Sequence, residues 1–298
     1  MPDDLLTHKP LFEKYLKKQK HYLSAFSFVN IFAWQGFFTF EFKIINDALC
    51  VFASSPLGTF MYLPPLAENV DAKIIERSFE YMQDKNKKHS VARIENVPAF
   101  DQGVYSARTY SFYNKGYEYL YYREDLVNLA GNPFKSKRVS CNFFMKHYDH
   151  EYLKYDHSLR NECLALYKTW AGNRKTKSKD DIYRQMIEEN EAVHALVLKN
   201  YQELDLIGRV VKINGDVKAY TFGFAVSPEI FCILFEITDL SVKGLPVFIF
   251  RDFCRDRDVR AHKFINAMDD FGMPNVAKTK MSFRPAVLAP SYVVKRKV

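Results

Sequence analysis

Apolar and polar positions along this chain follow two rhythms, one of period near 3.6 and one of period 2, and the two succeed each other twice. Residues 11–22 set apolar side chains among lysines at helical spacing, which predicts a basic amphipathic helix. Residues 37–45 then read as a strand, Asn46-Asp47 as a turn of the Asx type, and 48–54 as a second strand. Pro56-Leu57-Gly58 predicts another turn and 59–63 a third strand. A helix follows over 70–86, with Ile74, Ile75, Phe79 and Met82 at helical spacing, and then a short strand over 90–94.

The second half repeats the order. Residues 208–213 read as a strand, Asn214-Gly215 is a strong hairpin turn, and 217–226 is the next strand before Ser227-Pro228. Residues 230–237 are almost entirely apolar, so this strand is expected to be buried on both faces. A helix over 242–256 and a strand over 263–267 complete the second set. Ahead of it, 159–170 and 180–204 predict two helices; Ile182, Met186, Val193, Val197, Tyr201 and Leu204 mark the buried stripe of the longer one. The basic segment 172–179 between them reads as a solvated connection or a lid. Sequence identity between the halves is negligible, so the repeat is one of pattern only. The expected division falls between 1–115 and 116–298.

Composition fits a chain with a sizeable core: 48% hydrophobic and 16% aromatic residues. The net charge of +8 suits anionic partners such as phosphates, tRNA, CoA or acidic lipid headgroups, and equally a basic protein with no such partner. Five cysteines, Cys50, Cys141, Cys163, Cys232 and Cys254, form no C-x-x-C pair and fit a reducing cytoplasm. The start Met1-Pro2-Asp3-Asp4 is unlike a signal peptide. The longest apolar stretch, 23–40, is broken by Ser24, Ser27, Asn30, Gln35 and Gly36, so it predicts a buried helix-to-strand passage and no transmembrane segment. A P-loop, a G-x-S-x-G elbow and a dinucleotide fingerprint are all missing. His147, His150 and His157 lie near Asp149 and Glu151, but no further Cys or His pair completes a metal pattern, so surface histidines and no metal are expected.

Group transfer needs a site that holds an anionic donor, removes a proton from the acceptor and steadies an oxyanion. The connection after strand 230–237 offers these parts. Glu236 ends an apolar strand and is the candidate general base; as a strand-exit carboxylate it would instead pair with a surface lysine. The helix start beyond it, with Lys243 and Gly244, would receive phosphate or a carbonyl oxygen. Asp239 reads as a turn or capping residue. Lys135, Lys137 and Arg138 open another predicted helix, where cations oppose the helix dipole; they would serve an anion or form a solvated basic turn.

Three stretches carry a resemblance. The tail runs Asn266, Asp270, Gly272, then Lys280, Phe283, Arg284 and Pro285. Tyr119-Leu120-Tyr121-Tyr122 leads into Glu124-Asp125, and Gly131-Asn132-Pro133-Phe134 into Lys135-Ser136-Lys137-Arg138. Together these resemble the DUF2156 family, which is similar to the C-terminal domain of phosphatidylglycerol lysyltransferases in the GNAT-like superfamily. The resemblance implies an α+β, mixed-sheet architecture of tandem GNAT-like acyltransferase domains. It implies an acyltransferase or aminoacyltransferase whose donor is acyl-CoA or aminoacyl-tRNA, with no tightly bound cofactor. The acceptor would be an amine or hydroxyl on an anionic or phosphorylated molecule, such as a phospholipid headgroup met by peripheral membrane contact. Glu236, Asp270 and Lys280 would be catalytic. Lys243, Gly244, Asn266, Arg284, Lys137 and Arg138 would bind the donor or acceptor, and Asp270 would alternatively cap a helix beside Lys280. CoA-binding members resemble one another in a loop with two glycines, where this chain has Gly244 alone. That shifts weight toward aminoacyl-tRNA, and also fits a non-catalytic binding protein on the same scaffold.

Overall fold

A computed structural model describes residues 5–87, 91–177 and 180–297. Outside them lie the start at 1–4, Ser90 at the predicted strand start, Ser178 and Lys179 at the end of the predicted connection, and the side chain of Ile182. The chain forms two compact units. One comprises Met1–Tyr119, Met268–Ala277 and Val287–Val298; the other comprises Leu120–Ala267 and Lys278–Ala286. The expected division at 115/116 differs from this. The units part after Tyr119, and two late segments join the first unit.

In chain order the first unit contains α1 (Lys9–Leu16), α2 (Phe28–Ala33), β1 (Thr39–Ile45), β2 (Ala48–Ser55), β3 (Gly58–Met61), α3 (Ala72–Lys85), β4 (Ile94–Pro98) and most of β5 (Tyr110–Tyr122). The second contains α4 (Arg123–Asn128), α5 (Lys135–His147), β6 (His150–Lys154), α6 (Arg160–Lys177), α7 (Asp181–Lys199), β7 (Ile207–Ile213), β8 (Asp216–Ser227), β9 (Ile230–Thr238), α8 (Leu245–Arg255) and β10 (Phe264–Asn266). Then come α9 (Pro274–Met281) and β11 (Val287–Arg296).

In the first unit the strands run in the order β1-β2-β3-β4-β11-β5. β11 joins because it pairs antiparallel with β4, Tyr292 against Val97. Asn46 and Asp47 both take left-handed backbone (φ 46° and 63°), the geometry of a two-residue hairpin turn that matches strand twist. The middle of β2 is buried on both faces. The Asp71 carboxylate accepts from the Ile74 N–H (2.9 Å) and starts α3, which lays Ile74, Ile75, Phe79 and Met82 on Cys50, Phe52 and Val97. α1 stops at Leu16, short of the predicted residue 22, because Lys17 to Lys20 offer no apolar side chain to bury. The predicted strand 90–94 forms instead as β4. Here Ile94 and Val97 reach the core, and Ile94 meets Met61 of β3 in parallel.

The polar residues of segment 23–40 find partners inside the protein. Ser27 caps α2 by accepting from Val29 N–H (3.1 Å). The Glu118 carboxylate accepts from Ser24 N–H and hydroxyl (2.8 and 2.6 Å), and Asn30 donates to the Ser24 carbonyl. Every residue of α2 is buried. Among the described residues no helix is long and apolar enough to cross a membrane.

In the second unit β6-β7-β8-β9 form an antiparallel run and β10 adds parallel to β9. Asn214 and Gly215 (φ 52° and 85°) make the same kind of hairpin turn as Asn46-Asp47. α5 and α8 cover one sheet face through Cys141, Phe144, Leu245, Phe248 and Ile249 against Val211, Ile213 and Ala219. α6 and α7 cover the other. There the Tyr167 hydroxyl donates to the Ile187 carbonyl (2.7 Å) and that of Tyr155 to the Leu198 carbonyl (3.1 Å). The predicted connection 172–179 is helical through Lys177. Ala171 is buried, and Lys175 and Lys168 pair with Glu188 and Glu191 of α7, which extends α6 beyond the predicted end. β6 is an addition to the expected elements; its alternation is short and half-buried, so it leaves little signal.

His194 of α7 is buried, 2.9 Å from the Tyr220 hydroxyl and packed against Phe235. Burial depresses its pKa to about 3. Below about pH 6.5 the unfolded chain takes up a proton that folded His194 refuses, so stability falls as the pH drops through that value. Denaturant titrations at pH 7.5 and 5 are expected to show this loss. A His194→Phe variant is expected to show a shallower acid slope, at a cost of about 1 kcal/mol for the stranded Tyr220 hydroxyl.

Candidate active site

The parallel strands β9 and β10 stay together for only three residue pairs: Ile230 with Phe264, Phe231 with Ile265, and Cys232 with Asn266. β10 ends there, while β9 runs on to Thr238. The two strands therefore part at their C-terminal ends, and Glu236 lies on the stretch of β9 beyond the last pair.

A bulge decides which way Glu236 faces. Phe222 of β8 is opposite Phe235 and Gly223 is opposite Ile233, so Leu234 is an extra residue in β9. Phe231 packs on Phe253 of α8, yet Phe235 packs on His194 of α7, on the other face. Strict alternation would put residues 231 and 235 on one face. The extra residue breaks the phase and turns Glu236 to the α5/α8 side, opposite Thr221. Gly223 makes room for the bend, because a Cβ there would stand 2.4 Å from the Cys232 carbonyl oxygen.

The Glu236 Oε2 is shielded from solvent and has no hydrogen-bond partner among the described residues. Burial raises its pKa to about 8. About one molecule in ten then carries the carboxylate at pH 7, which is the poise of a group that takes and returns protons near neutrality. The expected alternative, a strand-exit carboxylate paired with a surface lysine, does not describe this buried group.

The other candidates divide. Lys280, like Glu236, sits at the C-terminal end of the parallel pair, where its ammonium donates to the Ala267 carbonyl just past β10 (2.6 Å). The Lys280 carbonyl accepts from Tyr121 (2.9 Å), which ties α9 to the sheet. Asn266 is the last β10 residue and is fully buried. Phe283 is buried against Phe250, with the Lys137 ammonium 3.9 Å from its ring centre, and desolvation lowers the Lys137 pKa. Arg284 is exposed, with left-handed backbone (φ 57°) that ends the turn after α9.

Two candidates have structural work that accounts for them. Arg138 donates to the carbonyls of Leu129 and Gly131, closing the end of α4. Gly244 (φ 88°) lets α8 start against α5, since a Cβ there would stand 2.3 Å from the Ser140 carbonyl oxygen. Lys243 before it holds its ammonium 4.5 Å from the centre of the Phe143 ring. Asp239 accepts from Ser241 N–H and hydroxyl, the expected local turn. Burial pushes its pKa up, but these bonds and Lys218 prevail and hold it low.

Asp270 belongs to the first unit, where it accepts from the Tyr119 hydroxyl (2.5 Å) and from Gly272 N–H (2.9 Å). It shapes the turn before α9, and Lys280 bonds Ala267 instead of it. Among the described residues no group of three or more His, Cys, Asp and Glu side chains is placed to hold a metal. His147 stacks on Phe143, and His150 packs between Phe144 and Phe248.

The first unit repeats the parallel pair with β3 and β4, but there the strands are tied. Asn96 (φ 55°) donates its amide to the Tyr62 carbonyl (2.9 Å) and accepts from Lys115 (3.1 Å). The second unit holds the parted pair and the unpartnered carboxyl.

The chain matches the phosphatidylglycerol lysyltransferase C-terminal family over residues 17–295. It belongs to that family. Similar solved structures agree on the fold. A conserved protein of unknown function from Bacteroides thetaiotaomicron is 24% identical, with a TM-score of 0.86 over 98% of this chain and 97% of that one. The C-terminal domain (DUF2156) of a putative lysylphosphatidylglycerol synthetase from Agrobacterium fabrum is 11% identical, with a TM-score of 0.68 over 99% and 92%. A tandem GNAT protein from the clavulanic acid biosynthesis pathway is 7% identical, with a TM-score of 0.51 over 99% and 95%. No curated protein matches the chain. The fold is thus mixed α/β and tandem GNAT-like, as in other members of the lysyltransferase family.

Sequence reasoning missed the bulge at Leu234, Thr221 opposite Glu236, and the Tyr119–Asp270 bond. Only Gly223, a glycine inside a strand pattern, signalled the first.

Folded Glu236 stays protonated up to about pH 8, whereas the unfolded chain ionises it from about pH 4.5. Stability therefore declines as the pH rises through this window. Thermal melts of Glu236→Gln are expected to exceed wild type at pH 8 and to match it at pH 4. Gly244→Ala is expected to lose about 2 kcal/mol or more in denaturant titrations, from backbone strain and the clash with α5.

Proposed function

We propose that this chain is an aminoacyltransferase that moves an aminoacyl group from an activated ester to a hydroxyl or amine of an anionic acceptor, with a phospholipid headgroup as the acceptor class its family suggests. The carrying observation is the unpartnered Glu236 carboxyl where β9 and β10 part. Its raised pKa lets it accept the acceptor's proton as oxygen or nitrogen attacks the carbonyl carbon. The new bond forms, the ester bond to the donor breaks, and the proton returns to the departing hydroxyl.

Aminoacyl-tRNA is the donor favoured over acyl-CoA. Gly244 is committed to packing against α5, and Pro246 removes one backbone N–H from the first turn of α8, so this helix start makes a poor pyrophosphate cradle. Lys137 and Arg284, beside Phe283 in contact and in sequence, supply positive charge for a phosphorylated acceptor. A lipid acceptor would be met by peripheral contact at the cytoplasmic membrane surface, where charged tRNA is available.

Purified protein offered labelled aminoacyl-tRNA and phosphatidylglycerol vesicles is expected to form aminoacylated lipid. The rate should rise with pH toward about 8, and Glu236→Gln should lower kcat about 100-fold with little change in KM. Transfer from acetyl-CoA alone would replace the donor assignment. No transfer from either donor would leave the binding-protein reading.

A further inference from the structure

We infer that the outward face of α5, with Lys243 beside it, is a docking surface for RNA. The inference rests on the aminoacyl-tRNA reading above and says where that donor is held. α5 has the sequence Lys-Ser-Lys-Arg-Val-Ser-Cys-Asn-Phe-Phe-Met-Lys-His, without a single carboxylate. Its apolar side is already used: Cys141 and Phe144 are buried, and the Phe144 ring lies 4.5 Å from that of Phe248. Lys135, Val139, Asn142 and Lys146 recur at helical spacing on the exposed side. Among the described residues, Lys135, Lys146 and Lys243 form no ion pair, unlike Lys168 and Lys175 of the opposite sheet face, which pair with α7 glutamates.

An aromatic platform lies among these charges. The rings of Phe143 and His147 stack at 4.1 Å and 18°, and the Lys243 ammonium is 4.5 Å from the Phe143 ring centre. Lysines that track phosphates, interleaved with rings on which bases stack, are the chemistry of single-stranded RNA binding. An anionic membrane would also attract the lysines, but a helix that sinks into a membrane needs a free apolar face. The apolar face of α5 is turned to the core, and the exposed Val139 (61%) and Met145 (41%) lie on different sides of the helix. Position favours the same partner. Gly244 meets Ser140 of α5, so Lys243 stands where α8 begins, in the connection that follows β9 and its Glu236. An RNA end bound along α5 is thereby led toward that strand end.

The test is binding of uncharged tRNA to the full chain across a salt series, with no transfer step involved. Lys135→Ala/Lys146→Ala/Lys243→Ala is expected to weaken binding at least tenfold and to lower the slope of log K against log salt by about 2. Phe143→Leu is expected to weaken binding about tenfold with the slope unchanged. A control with equal charge loss, Lys168→Ala/Lys175→Ala/Lys199→Ala, should bind as wild type, and thermal melts should confirm that every variant is folded. Unchanged affinity and slope in the α5 variant, an equal loss in the control, or binding to anionic vesicles without tRNA binding would overturn the inference. Transfer activity that persists with no dependence on α5 would sink the docking surface alone. RNA binding through α5 without any transfer would sink the catalytic reading alone.

Discussion

Three residue pairs between two parallel strands set the chemistry available to the second unit. β9 and β10 are hydrogen-bonded neighbours from Ile230 to Cys232, and then β10 stops. Backbone groups inside a protein need partners, so a sheet seldom opens in its interior unless something else is meant to enter. The opening gives β9 a free flank, and the bulge at Leu234 places Glu236 there on the α5/α8 side. Burial without a partner then does the electrostatic work: it holds the carboxyl protonated until a substrate group offers the missing bond.

The two units show how one backbone plan can be opened or closed by a single side chain. Each has three antiparallel strands, a helix and a parallel strand. In the first unit Asn96, held in left-handed backbone, spans the parting strands with its amide. Asparagine tolerates that backbone and carries both a donor and an acceptor, so it can act as a substitute for the sheet's own bonding. The second unit has Asn266 at the end of its pair, inside the ladder instead of across the gap.

Much of the fold was legible in the sequence because alternation and turn chemistry are local. Asn46-Asp47 and Asn214-Gly215 fixed two hairpins, and the apolar run at 230–237 marked the central strand. Glu236 was legible as a charge at the end of that run. What alternation could not show was the phase break at Leu234, since an all-apolar strand looks the same with or without an extra residue. Nor could spacing tell that Arg138 and Gly244 serve packing, because their partners, the carbonyls of Leu129 and Ser140, belong to the backbone and carry no sequence signature. Asp270 and Lys280 are ten positions apart in one motif, yet each bonds elsewhere, to Tyr119 and to Ala267.

The place of β11 has a consequence for how the chain is made. Its residues, Val287–Arg296, lie between β4 and β5 in the first unit's strand order, so that sheet lacks an interior strand until the last part of the chain has left the ribosome. Nearly all of the second unit is synthesised before then. The half of the protein that is translated first is therefore completed last, and β4 waits with an open edge through most of translation.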